Sequence, residues 1–406
     1  MHQSVRFIHS ADLHLDSPYK SMRHLPGNIL SDVKASTFKA FKRLIDLAIE
    51  QQVDFVLLVG DLFDQDSASL KSLVALKDGL KELEKHNIKA FISFGNHDYK
   101  MLNKVDLTFP SNTYVFTQQS VTSFPFERDG EVLADIHGFS YESRAVTESK
   151  VHEYDPVSHD RFQIATLHGS SKTNNEHDQY APFLLEQLKA TSFDYWALGH
   201  IHKREILSYQ PYIVYPGNIQ GRHIKETGEK GCYIVDLSQN QTQIQFHQLH
   251  DILFVEEELT YMNCHAFDEL VEQLKAYKDR LRHESGKVWL RITVFVQDQL
   301  RQYAEELLYL LNEGENDEDD WVWIQSLKLD QVVQYDRKQL KQSNQFVGEV
   351  IKMIDEADDS KRYLDDLLNN RHFKQQIGTL TKHDLEQIEA EAEQLIIEKL
   401  LKDGRD

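Results

Sequence analysis

The apolar residues of the first 250 positions gather into short dense runs, separated by stretches of helical spacing. Phe55-Val56-Leu57-Leu58-Val59 has no polar side chain, the pattern of a strand buried on both faces in a parallel sheet. Val5–His9 and Ala90–Phe94 are further short strand patterns, interrupted by Arg6 and His9 in the first and Ser93 in the second. Between them, Phe38, Phe41, Leu44, Ile45 and Ala48 line one face of a helix over about 28–51, and a second helix is expected over about 67–86. Strand, helix, strand, helix, strand with short connections predicts a βαβαβ unit. The chemistry of such a sheet lies at the carboxyl ends of its strands.

Between 112 and 141 the pattern changes to short alternating runs, Thr113–Phe116 and Val132–His137, as in mixed or antiparallel strands. Phe162–Leu167 and Tyr195–Leu198 restore apolar strands, with a polar loop at 170–180 and a helix near Phe183–Leu188 between them. Strands near Ile206–Ser208, Tyr212–Val214, Cys232–Leu237 and Gln243–His247 complete a first domain, residues 1–250. Strands at Ile252–Tyr261, Val288–Val296 and Val322–Leu329 alternate with helices at Phe267–His283 and Gln299–Asn312, which predicts a small α+β module over 251–338. Glu313–Asp320 reads as a solvated acidic loop. The tail, 339–406, is helical. Phe346, Val347, Val350, Ile351 and Ile354 share a face, and Thr381 caps a last helix carrying Leu385, Ile388, Ala392 and Leu395.

Composition narrows the class. A chain of 406 residues is too long for one ordinary core. Its 40% hydrophobic and 27% charged residues are those of a soluble globular protein. No window of about 18 apolar residues exists to span a membrane. The N-terminus runs directly into the first strand, and two cysteines, Cys232 and Cys264, cannot build a disulfide framework. Both features point to a reducing, cytoplasmic location. The formal charge of −21 is uneven: residues 1–250 hold 25 Lys and Arg against 31 Asp and Glu, and residues 251–406 hold 20 against 35. The second part is a poor surface for DNA, whereas the first leaves room for a local basic rim.

The ends of the apolar strands carry the candidate chemistry. Asp12 and His14 follow the first, Gly60-Asp61 the second, Gly95-Asn96-His97-Asp98 the third, and His168 and Gly199-His200-x-His202 the later two. Five strands thus deliver carboxylates, an amide and imidazoles to one rim. This is a donor set for divalent cations of borderline character, without the thiolates of a structural zinc site. It exceeds the needs of one ion and suits a pair about 3.5–4 Å apart, bridged by Asp61. Such a pair fits the hydrolysis of phosphate esters. His97 is then free to contact the phosphate and protonate the leaving oxygen, with Asp98 holding the ring in one orientation.

These five motifs, in this order across 12–202, resemble the calcineurin-like metallophosphoesterase superfamily. The flanking sequence, including the Pro216-Gly217-Asn218 loop and Gln220-Gly221-Arg222-His223, is similar to SbcD-type nuclease subunits of double-strand-break repair complexes. The resemblance implies an α/β, four-layer fold of two packed mixed sheets flanked by helices, with a small α+β capping domain and a helical C-terminal tail. It implies one ion on Asp12, His14, Asp61 and His202 and another on Asp61, Asn96, His168 and His200. Manganese is the expected metal, with magnesium, iron and zinc as alternatives. It further implies DNA as substrate, a coiled-coil ABC-type ATPase (SbcC-like) docked on the C-terminal helices, and a homodimer formed through the two early helices. One departure stands out. Some members of the repair-nuclease branch place a substrate-positioning histidine three residues past the bridging aspartate, where this chain has Asp64. Asp64, Arg222 and His223 are candidates for touching substrate; a helix cap for Asp64 and a loop salt bridge for Arg222 are the plain alternatives. A two-metal centre sees only a phosphate, so a small nucleotide or a phosphoprotein is an alternative substrate.

Overall fold

The three apolar runs at the start of the chain stand side by side as parallel strands. β1 (Ser4–Ser10), β2 (Phe55–Val59) and β3 (Lys89–Ser93) are joined by α1 (Gly27–Glu50) and α2 (Leu70–Lys85). Phe7 pairs with Phe55 and Leu57 with Phe91. A computed structural model of the protein describes residues 4–19, 22–64, 68–103, 108–172, 180–261, 264–331, 337–342 and 346–356, and from the last helix 388, 392, 393, 395–397 and 399–401. Thr381 and Leu385, expected in that helix, lie outside them.

The remaining elements are β4 (Thr113–Val115), β5 (Thr122–Arg128), β6 (Glu131–Gly138), β7 (Phe162–His168), α3 (Leu185–Lys189), β8 (Tyr195–Gly199), β9 (Glu205–Tyr209), β10 (Tyr212–Tyr215), β11 (Gly231–Ser238) and β12 (Thr242–Gln248). Then follow β13 (Ile252–Thr260), α4 (Phe267–Ser285), β14 (Lys287–Val296), α5 (Ala304–Asn312), β15 (Val322–Gln331), α6 (Arg337–Gln342) and α7 (Phe346–Glu356). The first sheet runs β12-β11-β1-β2-β3-β4 and the second β5-β6-β7-β8-β10-β9. Both are mixed: β11 and β12 are antiparallel in the first, and β5 and β9 are antiparallel edges of the second.

The two sheets pack face to face. Phe7, Phe55, Leu57 and Phe91 of one share a core with Ile136, Ile164, Tyr195 and Val214 of the other. The first sheet's outer face lies under α1 and α2, through Phe41, Leu44, Leu76 and Leu80. The second's outer face is covered by Phe183, Leu188 and Phe193 around Trp196. Four layers result, α/β/β/α. A third sheet, β13-β14-β15, is small. Its Phe254 and Trp289, with Trp321, pack against Tyr19, Met22 and the start of α1 through Ile29 and Val33.

Residues 1–259, 267–293 and 303–328 form one compact unit, and 260–266, 294–302 and 329–406 a second. Within the second, Val347 and Ile351 of α7 close on Ile397 with Leu340 alongside. Two details differ from the pattern reading. β5 carries Pro125 and mostly exposed side chains, which is tolerated only because it is an edge strand. The acidic run 313–320 is not wholly solvated: Glu315 is buried, 2.7 Å from both Lys278 and Arg282, and accepts from the Val322 N–H at 2.6 Å. A buried carboxylate needs such partners.

Candidate metal centre

Each expected ligand stands at or just past the end of a parallel strand, and the exit loops are stitched together by backbone hydrogen bonds. Asp12 N donates to Gly60 O at 3.2 Å, His14 N to Asp61 O at 3.0 Å, and Gly60 N to Ser93 O at 3.2 Å. The loops are strained where the ligands sit. Asp12, His14, Asp61 and His200 all have positive φ, at 53°, 42°, 50° and 97°. Each such conformation costs about 1–3 kcal/mol, and persists only where the surroundings over-determine it. Gly60 (φ 76°) and Gly95 allow the close approach: a Cβ on Gly60 would lie 2.2 Å from His168 Nδ1, and one on Gly95 would lie 2.3 Å from Asp61 Oδ1.

The side chains fall into two groups. Asp12, His14 and His202 offer ligand atoms within 4.8 Å of one another, and so do Asp61, His168 and His200. In the first, His14 Nε2 lies 3.0 Å from His202 Nε2, and Asp12 Oδ1 lies 3.8 Å from His202 Nε2. In the second, Asn96 Oδ1 lies 3.1 Å from His168 Nε2 and 3.2 Å from His200 Nδ1. Asp61 faces both: its Oδ2 is 3.8 Å from His14 Nε2 and 3.4 Å from His168 Nε2. The other oxygen, Oδ1, accepts from the His97 N–H at 3.0 Å.

The donors fit divalent ions. His168 Nδ1 donates to the Val59 carbonyl at 3.0 Å, because a carbonyl only accepts. Its Nε2 faces two acceptors, Asn96 Oδ1 at 3.1 Å and Asp61 Oδ2 at 3.4 Å, which call for a cation or a proton at that nitrogen. Electrostatics agree. Burial disfavours charge on His168, yet the Asp61 carboxylate outweighs burial and lifts it to about 9. Burial likewise opposes charge on Asp61, but His168, His14 and His97 hold its carboxyl well below the usual range. The cluster draws positive charge, which divalent ions supply.

His97 lines the cleft beside this centre. Its Nδ1 donates to the Asp64 carbonyl at 3.1 Å, leaving Nε2 for the cleft. Asp98 does not hold His97, contrary to the sequence expectation. Its Oδ1 accepts from the Gly95 N–H at 2.7 Å, and its Oδ2 from Leu62 and Phe63 at 2.6 and 3.3 Å. It shapes the turn that presents Asn96 and His97. The following helix, α2, is capped not by Asp64 but by Ser69, which accepts from the Ser72 N–H at 3.0 Å. Instead the Asp64 carboxylate pairs with Arg222, and Oδ1 lies 3.3 Å from His14 Nδ1. His223 lines the cleft.

Sequence reasoning missed the outer partners. Tyr141 donates to the His168 carbonyl at 2.8 Å and Lys230 to the His202 carbonyl at 3.0 Å. Glu226 Oε1 lies 2.8 Å from His202 Nδ1; burial opposes its charge, but His202 and Arg222 hold its carboxyl well below the usual range. These residues sit on no apolar strand end, so no periodic pattern marks them. The cleft, about 810 Å³, is also lined by Arg144, Lys203 and Lys225.

The calcineurin-like phosphoesterase profile matches residues 5–204. The chain is 33% identical over 405 residues to the uncharacterized metallophosphoesterase YhaO of Bacillus subtilis (strain 168), covering 98% of each. It is 27% identical over 302 residues to the DNA double-strand break repair protein Mre11 of Methanocaldococcus jannaschii, covering 68% of this chain and 75% of that one. Over 246 residues it is 25% identical to Mre11 of Archaeoglobus fulgidus, covering 55% and 52%. Likeness to a metallophosphoesterase from end to end, with a donor set that asks for divalent ions, means that this chain belongs to the calcineurin-like phosphoesterase family.

Proposed function

We propose that this protein is a metal-dependent DNA nuclease that cleaves phosphodiester bonds, and the nuclease partner of an SbcC-like ATPase in DNA repair. The cleft carries the reading. In a chain of net charge −21, the opening beside His97 is lined by Arg144, Lys203 and Lys225. A row of cations around a hydrolytic centre suits a polyanionic strand, whose backbone contacts supply affinity. A lone small phosphate ester would need fewer. The relatives named for double-strand break repair support the same reading.

In this proposal Asp12, His14, Asp61 and His202 hold one ion, and Asp61, Asn96, His168 and His200 the other. Bound ions supply charge stabilisation of the phosphate and an activated water. Manganese suits an oxygen-and-imidazole set. The protein's own residues do the rest. His97, anchored by Nδ1, presents Nε2 to the scissile phosphate and gives a proton to the leaving oxygen. Arg222, tied to Asp64, stands where it can meet a neighbouring phosphate, and His223 beside it. Leu70 and Val74, exposed on α2, support a dimer through the early helices. Buried free thiols at Cys232 and Cys264 suit work in the cytoplasm. Among the described residues no helix is long and apolar enough to cross a membrane.

The test is hydrolysis of linear double-stranded DNA, single-stranded DNA and a mononucleotide diester, each with manganese, magnesium, iron, zinc or chelator. Release of nucleotides from DNA with manganese, lost on chelation, is expected. Turnover of the small diester with DNA untouched would move the substrate to a small nucleotide.

A further inference from the structure

The connection between β10 and β11, residues 216–230, reaches back to the metal centre with a carboxylate outside the five strand-end motifs. Glu226 Oε1 lies 2.8 Å from His202 Nδ1. Its Oε2 accepts from Asn218 Nδ2 and from the Arg222 N–H, both at 2.8 Å. Ile224, two residues earlier, is buried beside Phe254 and Trp289, so the loop is anchored in the unit's own core. An ionised carboxylate only accepts, so the proton between Glu226 and His202 belongs to Nδ1. That assignment fixes the tautomer and leaves the Nε2 lone pair bare, 3.0 Å from His14 Nε2.

The other half of the centre is oriented differently. His168 is held through Nδ1 by a neutral partner, the Val59 carbonyl. A carboxylate behind an imidazole raises its basicity as a ligand more than a carbonyl does. His202 thus has a charged partner behind it where His168 has a neutral one.

We propose that Glu226 is a positioning residue for the ion taken by Asp12, His14 and His202, holding His202 with Nε2 inward and strengthening that half of the centre selectively. This rests on the metal centre proposed above. The same loop carries Arg222, whose ion pair with Asp64 sets a carboxylate oxygen 3.3 Å from His14 Nδ1.

The experiment is manganese titration calorimetry on the chelator-treated full chain, with the metal-free melting temperature measured in parallel. Wild type should bind two ions. Glu226→Ala should weaken one of them by about 10–100-fold and leave the other unchanged. Glu226→Gln should fall between, because its amide oxygen still accepts from Nδ1–H while the charge is gone. His202→Ala should lose that ion. A loop tie alone predicts a different result: Glu226→Ala lowers the metal-free melting temperature, and both ions bind as in wild type. That result, or equal weakening of both ions, overturns the proposal. If Glu226→Ala does not fold, the affinity split in Glu226→Gln decides. Fewer than two ions in wild type, or two retained in His202→Ala, would instead overturn the ligand assignment beneath it.

Discussion

At the residue scale, His97 and Asp98 are neighbours with separable roles. His97 is tethered through one nitrogen to the Asp64 carbonyl and faces the cleft with the other. Removing the ring keeps the His97 backbone N–H on Asp61 Oδ1 and leaves every side chain of the two proposed ligand sets in place. His97→Ala is expected to keep both manganese ions while hydrolysis of an unactivated diester drops about 10²–10⁴-fold. Calorimetry beside a rate assay checks this; loss of an ion would make His97 a ligand, and an unchanged rate would remove it from the chemistry. Asp98 instead satisfies three backbone N–H groups, those of Gly95, Leu62 and Phe63. Leaving a buried donor unmet costs about 1–3 kcal/mol. Metal-free Asp98→Ala should therefore melt well below wild type, where His97→Ala should not. Equal melting temperatures for the two variants would return Asp98 to the role of a purely catalytic group.

At the element scale, the legible parts were those with dense local signal. β2 is five apolar residues in a row, and it sits in the middle of its sheet where nothing polar could be tolerated. α1 follows its apolar face, and the ligand motifs follow strand ends, because parallel strands bring their carboxyl ends together. What escaped was settled by partners distant in sequence. β5 turns only Phe124 and Phe126 to the core, a signal interrupted by Pro125, and survives as an edge. Glu315 is buried because Lys278 and Arg282, more than 30 residues away, meet it. Asp98 found backbone donors on the neighbouring exit loop before it could reach His97. Asp32 shows what such remote pairing does for stability. It lies on α1 and meets Lys287 at 2.7 Å, Lys39 at 2.9 Å and Trp321 Nε1 at 3.1 Å. Burial alone would raise its carboxyl, but those three partners outweigh burial and hold it below the usual range. A depressed carboxyl contributes stability above its unfolded value near 3.9, lost as pH falls through the folded one. Melting of wild type should therefore drop on acidification below about pH 4 more steeply than melting of Asp32→Asn. Parallel curves for the two would show that α1 is held to the small sheet by apolar packing alone.

At the scale of the whole molecule, the acidic excess lies after residue 250, with 35 Asp and Glu against 20 Lys and Arg, while the cleft is lined by cations. The C-terminal part is therefore suited to a basic protein surface rather than to DNA. The stripe read on α7 is divided in the structure. Val347 and Ile351 turn inward onto Ile397, whereas Phe346 and Met353, seven residues apart, are 68% and 70% exposed. Two large apolar side chains at i and i+7 fall on one side of a helix and are the anchors a helix-in-groove contact uses. The tail thus has one face for its own small core and one left over, which our docking proposal gives to the coiled-coil ATPase. Deleting 340–406 should leave manganese binding and basal diesterase activity intact and abolish co-purification with the ATPase, since every proposed ligand lies within the first compact unit. A finer variant separates docking from folding. Phe346→Ser with Met353→Ser spares Val347, Ile351 and Ile397, so melting should be unchanged while ATPase binding weakens at least tenfold, or about 1.4 kcal/mol. Unchanged affinity in that double variant would place the ATPase elsewhere, and unfolding on deletion of the tail would make these helices part of the protein's own core.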